Sequence, residues 1–280
     1  MKFTFPLLIL SAIIFTGCLD STNNPNCQEV DETAFLEQNA AREGVVVTSN
    51  GLQYEIIEEG DGDLPSLGQI VFANYVGTTV NGDEFVNSNG TDYFPLDETI
   101  IPGITDGLTR MSEGSTYRLV IPPDLGYGDN PPAGTPVNCG SVLLFDMTLE
   151  SFLRDPEFFL DDNALSEDIT VTESGLQYRI LEEGDGEETP GQSSRVEVRY
   201  EGTFTNGFEF DSSPSGETVV FNTTGVIDGF SEGLQLMTEG ATYEFFLPPS
   251  IGYGNTPPQG SGIPPNVVLR FEVELVSIVN

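Results

Sequence analysis

The chain has 280 residues, of which 45 are acidic and 9 basic, for a formal net charge of −36. Such a surface repels phosphate backbones and offers no basic stripe, so nucleic acid is excluded as a partner. There is no histidine and no tryptophan, which removes histidine-based triads, histidine metal sites and the commonest general base. No Walker loop, CxxC or GxSxG takes their place, so nothing points to covalent or phosphoryl chemistry. The charge itself reads first as a solvated surface that keeps the protein soluble, and second as attraction to basic partners or cations. Asp61-Gly-Asp63 and Asp185-Gly-Glu187 lack the full ligand loop of a calcium hand and read as turns.

In chain order, Lys2 precedes an apolar run from Phe3 to Phe15 and then Thr16-Gly17-Cys18. This pattern resembles a bacterial lipoprotein signal over residues 1–17, with Phe15 standing where Leu is usual. Cys18 then becomes the acylated first residue of the mature chain, followed by a tether over 18–32. An uncleaved membrane anchor fits less well, because the run is shorter than the ~20 residues that span a bilayer. Export places the chain where disulfides persist. Cys27 in the tether and Cys139 either pair, pinning the tether to the first domain, or stay separate thiols; the compartment favours the pair. Thr33 to Arg42 predicts a short helix, capped at Thr33 and stopped by Gly44.

Beyond that helix the chain repeats itself. Gly51-Leu-Gln-Tyr54, Leu125-Gly-Tyr127-Gly128 and Val142-Leu-Leu-Phe145-Asp146 return as Gly175-Leu-Gln-Tyr178, Ile251-Gly-Tyr253-Gly254 and Val268-Leu-Arg-Phe271-Glu272. The period of about 125 residues is too long for a solenoid unit, so each copy is expected to be a complete domain with its own core. Leu269 to Leu275 alternates apolar and charged residues, the period of a sheet buried on one face, and Leu143, Phe145, Met147 and Leu149 do the same. Ile227, Phe230, Leu234 and Met237 break that period with helical spacing, as do Ile101, Ile104, Leu108 and Met111, and Gly240 and Gly114 can end these helices. The fold class predicted is α+β, each copy an antiparallel sheet wrapped around one short helix. The expected domains are 33–152 and 173–280, joined by a connector over 153–172.

Val198-Arg-Tyr200-Glu-Gly202, Phe210-Asp211-Ser-Ser213, Val226-Ile227-Asp-Gly229-Phe230, Gly252-Tyr253-Gly254, Ile263-Pro264-Pro265 and Phe271 form an ordered series. Taken singly, such aromatic residues are ordinary core. In this order and spacing they resemble the FKBP-type peptidyl-prolyl cis-trans isomerases, over about Gly175 to Ile278. The lead-in from Phe35 to Tyr54 is similar to exported bacterial members of the macrophage infectivity potentiator type. The resemblance implies a pocket built from Tyr200, Phe210, Asp211, Ile227, Phe230 and Tyr253, with Val226, Ile263 and Phe271 completing its wall. Phe230 replaces the family's usual tryptophan floor, and Val219 occupies a position often aromatic. In that reading the Ile227 N–H and the Tyr253 hydroxyl contact substrate carbonyls, and Asp211 orients the tyrosine side. No cofactor and no metal are called for.

Such a pocket suits an Xaa-Pro bond, whose rotation loses amide resonance and needs no nucleophile. The twisted state is the less polar one, so an apolar cage that strips water favours it. The implied partners are proline-containing segments of exported proteins, met in the bacterial cell envelope, with a lipid anchor as the only membrane attachment. The rival reading is a non-catalytic peptide-binding chaperone or assembly module.

Laid over the second copy, the first places Tyr75, Phe85, Ile101, Tyr127 and Phe145 opposite Tyr200, Phe210, Ile227, Tyr253 and Phe271. Val86 stands opposite Asp211, Ile104 opposite Phe230, and Asn138-Cys139 opposite Pro264-Pro265. The expectation is a second domain that carries most of the activity and a degenerate first domain that has lost the carboxylate's hydrogen bond.

Overall fold

The computed structural model describes residues 28–279. The expected signal, Cys18 and Cys27 lie outside the described residues. The chain divides into two compact units at Phe152/Leu153.

The first unit opens with α1 (Thr33–Ala40), β1 (Val45–Val47), β2 (Gln53–Glu58), β3 (Ile70–Thr79), β4 (Glu84–Asn87) and β5 (Asp92–Pro95), and closes with α2 (Pro102–Leu108), β6 (Thr116–Ile121) and β7 (Leu143–Phe152). The second follows the same order with α3 (Pro156–Asn163), β8 (Thr170–Val171), β9 (Gln177–Glu182), β10 (Arg195–Phe204), β11 (Glu209–Ser212), β12 (Val219–Asn222), α4 (Asp228–Leu236), β13 (Thr242–Leu247) and β14 (Leu269–Val279). Each sheet is antiparallel, ordered β1-β2-β6-β7-β3-β4 and β8-β9-β13-β14-β10-β11. β5 also pairs with β3, and β12 with β10. The α+β class read from the sequence is the class observed.

The alternation in β7 and β14 does what its period requires. Leu143, Phe145, Met147 and Leu149 are buried in the first core, and Leu269, Phe271, Val273 and Leu275 in the second. One helix packs over each sheet, and glycines set how closely. A Cβ on Gly233 would lie 2.7 Å from the Phe245 ring, and one on Gly107 2.4 Å from the Leu119 side chain. The glycines Gly229 and Gly233, one helical turn apart, therefore let α4 press directly onto β13.

Three expectations are corrected. The first helix starts at Thr33, yet Thr33 does not cap it; instead Asp31 Oδ1 accepts from the Thr33 N–H at 3.0 Å. Helices α2 and α4 end at Leu108 and Leu236, well before Gly114 and Gly240. Those glycines, both at φ 83°, serve the turns into β6 and β13. Residues 153–172 are more than a connector. Asp155 caps α3 by accepting from the Glu157 N–H at 2.9 Å, with Pro156 at the first helical position. Asn163 Nδ2 then donates to Gln177 Oε1, and Gln177 Nε2 to the Leu160 carbonyl. Asn39, Gln53 and Leu36 make the same pair of bonds in the first unit. α3 is thus the second copy of α1, docked by the same amide latch.

Overpacking at the helix–sheet contact gives a direct test. Gly233→Ala is expected to destabilise the second unit by about 1–3 kcal/mol in chemical denaturation, although alanine favours helix, because the Phe245 ring must move. An unchanged midpoint would contradict the close approach.

Candidate active site

The site forms where the sheet edge is interrupted. β11 pairs with the end of β10 at Glu201–Thr203, and β12 with its beginning at Arg195–Val198. Tyr200 lies at the junction, where a serine takes the place of a strand. The Ser213 N–H donates to the Tyr200 carbonyl at 2.9 Å, and Ser213 Oγ accepts from the Tyr200 N–H at 3.2 Å. Ser88 holds Tyr75 in the same way. Buried backbone groups need partners, and this serine satisfies both of them without closing the edge.

Around Tyr200 the rings meet edge to face. Phe230, only 4% exposed, packs against Phe271 at 5.0 Å between centroids, Phe221 at 5.9 Å, Tyr200 at 6.1 Å and Phe245 at 6.4 Å. Phe210 stands perpendicular to Phe271 at 5.5 Å. A Cβ on Gly202 would lie 2.9 Å from both of those rings, so glycine there lets them lie against the strand. Phe230 thus sits at the floor of an aromatic cage, the arrangement such ring quadrupoles favour. Phe221 was missed in the sequence, where the neighbouring Val219 drew attention. Its counterpart Phe94, also missed, meets Tyr75 at 6.0 Å.

The Tyr200 hydroxyl donates to Asp211 Oδ2 at 2.7 Å. Burial, and then the Asp211 bond, push the Tyr200 phenol far above its usual range. Tyr253 follows a short turn at Pro249–Ile251, with Gly254 at φ 55° bonding back to the Pro249 carbonyl. It is half-buried, and its phenol is also raised, first by burial and then by the nearby Asp211 charge. Val226 and Ile227 are half-buried ahead of α4, and Ile263 is buried in the loop before β14. Ile227 is the N-cap of α4, and an N-cap N–H makes no intrahelical bond. An aromatic cage with a fixed tyrosine–carboxylate pair can strip water from an apolar segment laid against it, and Tyr253 lies within electrostatic reach of that pair.

The first unit keeps more of this than expected. Phe85 meets Phe145 at 5.5 Å and Tyr127 at 6.4 Å, and Ile104, 6% exposed, provides an aliphatic floor. Ile101 and Tyr127 pack partly buried against the same core. Val86 does replace Asp211, and it packs against that core too. The hydrogen bond is nevertheless not lost. Tyr75 donates to Asp92 Oδ2 at 3.1 Å, from β5 instead of β4.

The rim of the first unit also differs. Gln28 and Val30 bond to the Cys139 backbone, and a Cβ on Gly140 would lie 2.8 Å from the Val30 carbonyl oxygen. Cys139 is disulfide-bonded, and its expected partner Cys27 lies outside the described residues.

Two aromatic clusters of one design on two sheets of one topology define a duplicated domain, and comparison with known proteins says which. The model for "FKBP-type peptidyl-prolyl cis-trans isomerase" matches residues 62–150 and again 186–276. The model for the domain amino-terminal to it matches 23–56. The chain belongs to the FKBP-type peptidyl-prolyl cis-trans isomerase family. It is 45% identical over 189 residues to FKBP-type peptidyl-prolyl cis-trans isomerase FkpA of Aeromonas hydrophila, covering 65% of each chain. It is 42% identical over 122 residues to the FKBP-type 22 kDa peptidyl-prolyl cis-trans isomerase of Escherichia coli, covering 43% of this chain and 58% of that one. Outer membrane protein MIP of Legionella longbeachae is 42% identical over 137 residues, covering 48% of this chain and 57% of its own. The matches thus span less than two thirds of these relatives' own lengths.

Proposed function

We propose that the chain is an active peptidyl-prolyl cis-trans isomerase, acting on proline-containing segments of exported proteins in the bacterial cell envelope. The observation that carries this reading is the cage around Phe230, with the Tyr200–Asp211 pair at its wall. Amide rotation passes a barrier of about 18–20 kcal/mol because resonance is lost at the twisted state. The rings exclude water from the imide and so favour the less polar twisted form. Tyr253 and the Ile227 N–H hold the flanking carbonyls, while the bond to Asp211 keeps the Tyr200 ring from rotating into the cage. Slow isomerisation, tens to hundreds of seconds uncatalysed, is the folding step such an enzyme relieves.

The greater turnover belongs to the second domain. Its floor is a ring fixed by four others, whereas Ile104 is smaller and presents no face to a proline. In a protease-coupled assay on a proline peptide, Phe230→Ala in the full chain is expected to lower kcat/KM about tenfold or more, and Ile104→Ala less than twofold, given about 1.4 kcal/mol per factor of ten. The reverse order would overturn the assignment. No turnover in the parent chain with retained peptide binding would select the chaperone reading.

The pH dependence follows from the same groups. Burial disfavours the phenolate, so Tyr200 and Tyr253 keep their protons below and beyond the ordinary value of about 10. Donor function is lost only as pH rises past that raised value, and there is no histidine to titrate near neutrality. Between about pH 6 and 9, kcat/KM should therefore stay flat; a bell centred near neutrality would contradict the mechanism.

The envelope location rests on the signal-like residues 1–17 and on a relative named as an outer membrane protein. We assign membrane attachment to a lipid on Cys18, from the signal-like sequence before it, and the partner of Cys139 to Cys27, because Gln28, the next residue, already bonds to Cys139. Peptide mass mapping of the mature, non-reduced protein should find an acylated Cys18 and a Cys27–Cys139 peptide. An unmodified amino terminus or two free thiols would reject the respective assignment.

A further inference from the structure

The two units hold the hydroxyl of the same tyrosine with carboxylates that arrive from opposite sides. Asp211 is paired with Gly202, two residues beyond Tyr200 on the central strand. Asp92 is paired with Ala73, two residues before Tyr75. The remaining position of each pair holds a valine, Val86 opposite Gly77 and Val219 opposite Val198. The exchange is therefore reciprocal, Val86 and Asp92 in one unit against Asp211 and Val219 in the other. The two backbone positions are four residues apart along the strand, about 13 Å, and the two carboxylates converge on the hydroxyl from its two sides.

This displacement matters because the Tyr127 or Tyr253 side of the site is built in the same way in both units, each tyrosine following an equivalent short turn. Phe85 touches the Tyr127 ring, so its neighbour Val86 places an aliphatic group at that end. In the second unit the same end carries Asp211, which is exposed and whose charge reaches Tyr253. The first unit's carboxylate reaches the hydroxyl from the β5 side, half-buried, with Oδ1 accepting from the Tyr93 N–H. A carboxylate has about four acceptor positions, so Asp211 keeps capacity for a ligand's cation or donor.

We propose that this exchange gives the two pockets opposite preferences for the residues flanking the proline. The second accepts a basic side chain at the Tyr253 end. The first accepts an aliphatic side chain at the Tyr127 end and tolerates a basic one only at the β5 end. The inference rests on both domains being proline pockets, the reading given above. An aliphatic group over Asp211 would desolvate a charge, whereas over Val86 it buries apolar surface. An exposed ion pair is worth roughly two- to fivefold in affinity.

The test uses the full chain labelled with 3-fluorotyrosine, its Tyr127 and Tyr253 signals assigned by Tyr127→Phe and Tyr253→Phe. Acetyl-Ala-Lys-Pro-Leu-Ala-amide and acetyl-Ala-Leu-Pro-Lys-Ala-amide are titrated separately. The peptide preferred at Tyr253 should be the one disfavoured at Tyr127, each by about two- to fivefold. The double exchange Val86→Asp with Asp92→Val should bring the Tyr127 preference into agreement with that of Tyr253. The reverse exchange, Asp211→Val with Val219→Asp, should do the converse, and it stands in if the first variant fails to fold. The same preference at both tyrosines, a response at only one of them, or preferences that survive the exchange would overturn the proposal while leaving a proline pocket in place. Silence at both tyrosines with both peptides would overturn the proposal and the pocket reading together.

Discussion

In each unit a long central strand shares one edge between two short strands, and the residue at their junction is left without a strand beside it. A junction in a sheet edge exposes an N–H and a C=O that must be satisfied. A serine, Ser88 or Ser213, does so with its own N–H and hydroxyl. The pocket depends on this arrangement. A continuous neighbouring strand would close the flank of the tyrosine, and an unsatisfied junction would fray. Held open but bonded, it lets the tyrosine ring face the helix, brings Phe221 or Phe94 in from one short strand and Phe210 or Phe85 from the other, and leaves two places from which a carboxylate can reach the hydroxyl.

The sequence made the pattern of the long elements plain, because a two-residue period in β14 and a helical spacing at Ile227, Phe230 and Leu234 are each sustained long enough to read. The resemblance to the FKBP-type isomerases placed Tyr200, Phe210, Asp211, Phe230 and Phe271, which the structure brings together. Short edge strands gave no such signal. β5 and β12 are four residues each, and the loops before them differ in length between the copies. A residue-by-residue overlay therefore loses register there, which hid Phe94, Phe221 and above all Asp92. That Val86 had replaced Asp211 was visible; that the hydrogen bond had moved across the strand was not, because it depends on a pairing distant in sequence. The connector was misjudged for a similar reason. Its helix shares few letters with α1, and only the Asn–Gln latch, fourteen residues apart in both copies, shows the correspondence.

On the outer face of the sheets the copies also trade signs. Glu244, 1% exposed, lies between Arg179 and Arg270, with Arg270 Nε 2.5 Å from its carboxylate. At the same place the first unit has Arg118, paired with Asp146 at 2.6 Å and open to solvent. A carboxylate out of contact with water depends on both its partners, whereas an exposed pair contributes about 0–1 kcal/mol and weakens as salt rises. In a chain this acidic the few arginines are concentrated at such contacts, and the two units hold their sheets together with different sensitivity to the medium.

The docking of α3 bears on how the protein came to have two sites. The helix, the latch and the sheet occur together in both halves, in one order and with one set of contacts. What was copied was therefore a complete folding unit with its own leading helix, and the seam between copies shrinks to the few residues from Leu153 to Asp155. Within each half the latch ties the leading helix to the first long strand of its own sheet. On that repeated frame the wall, the floor and the position of the charge differ from copy to copy, so a site can be rebuilt while the latch and the sheet beneath it stay the same.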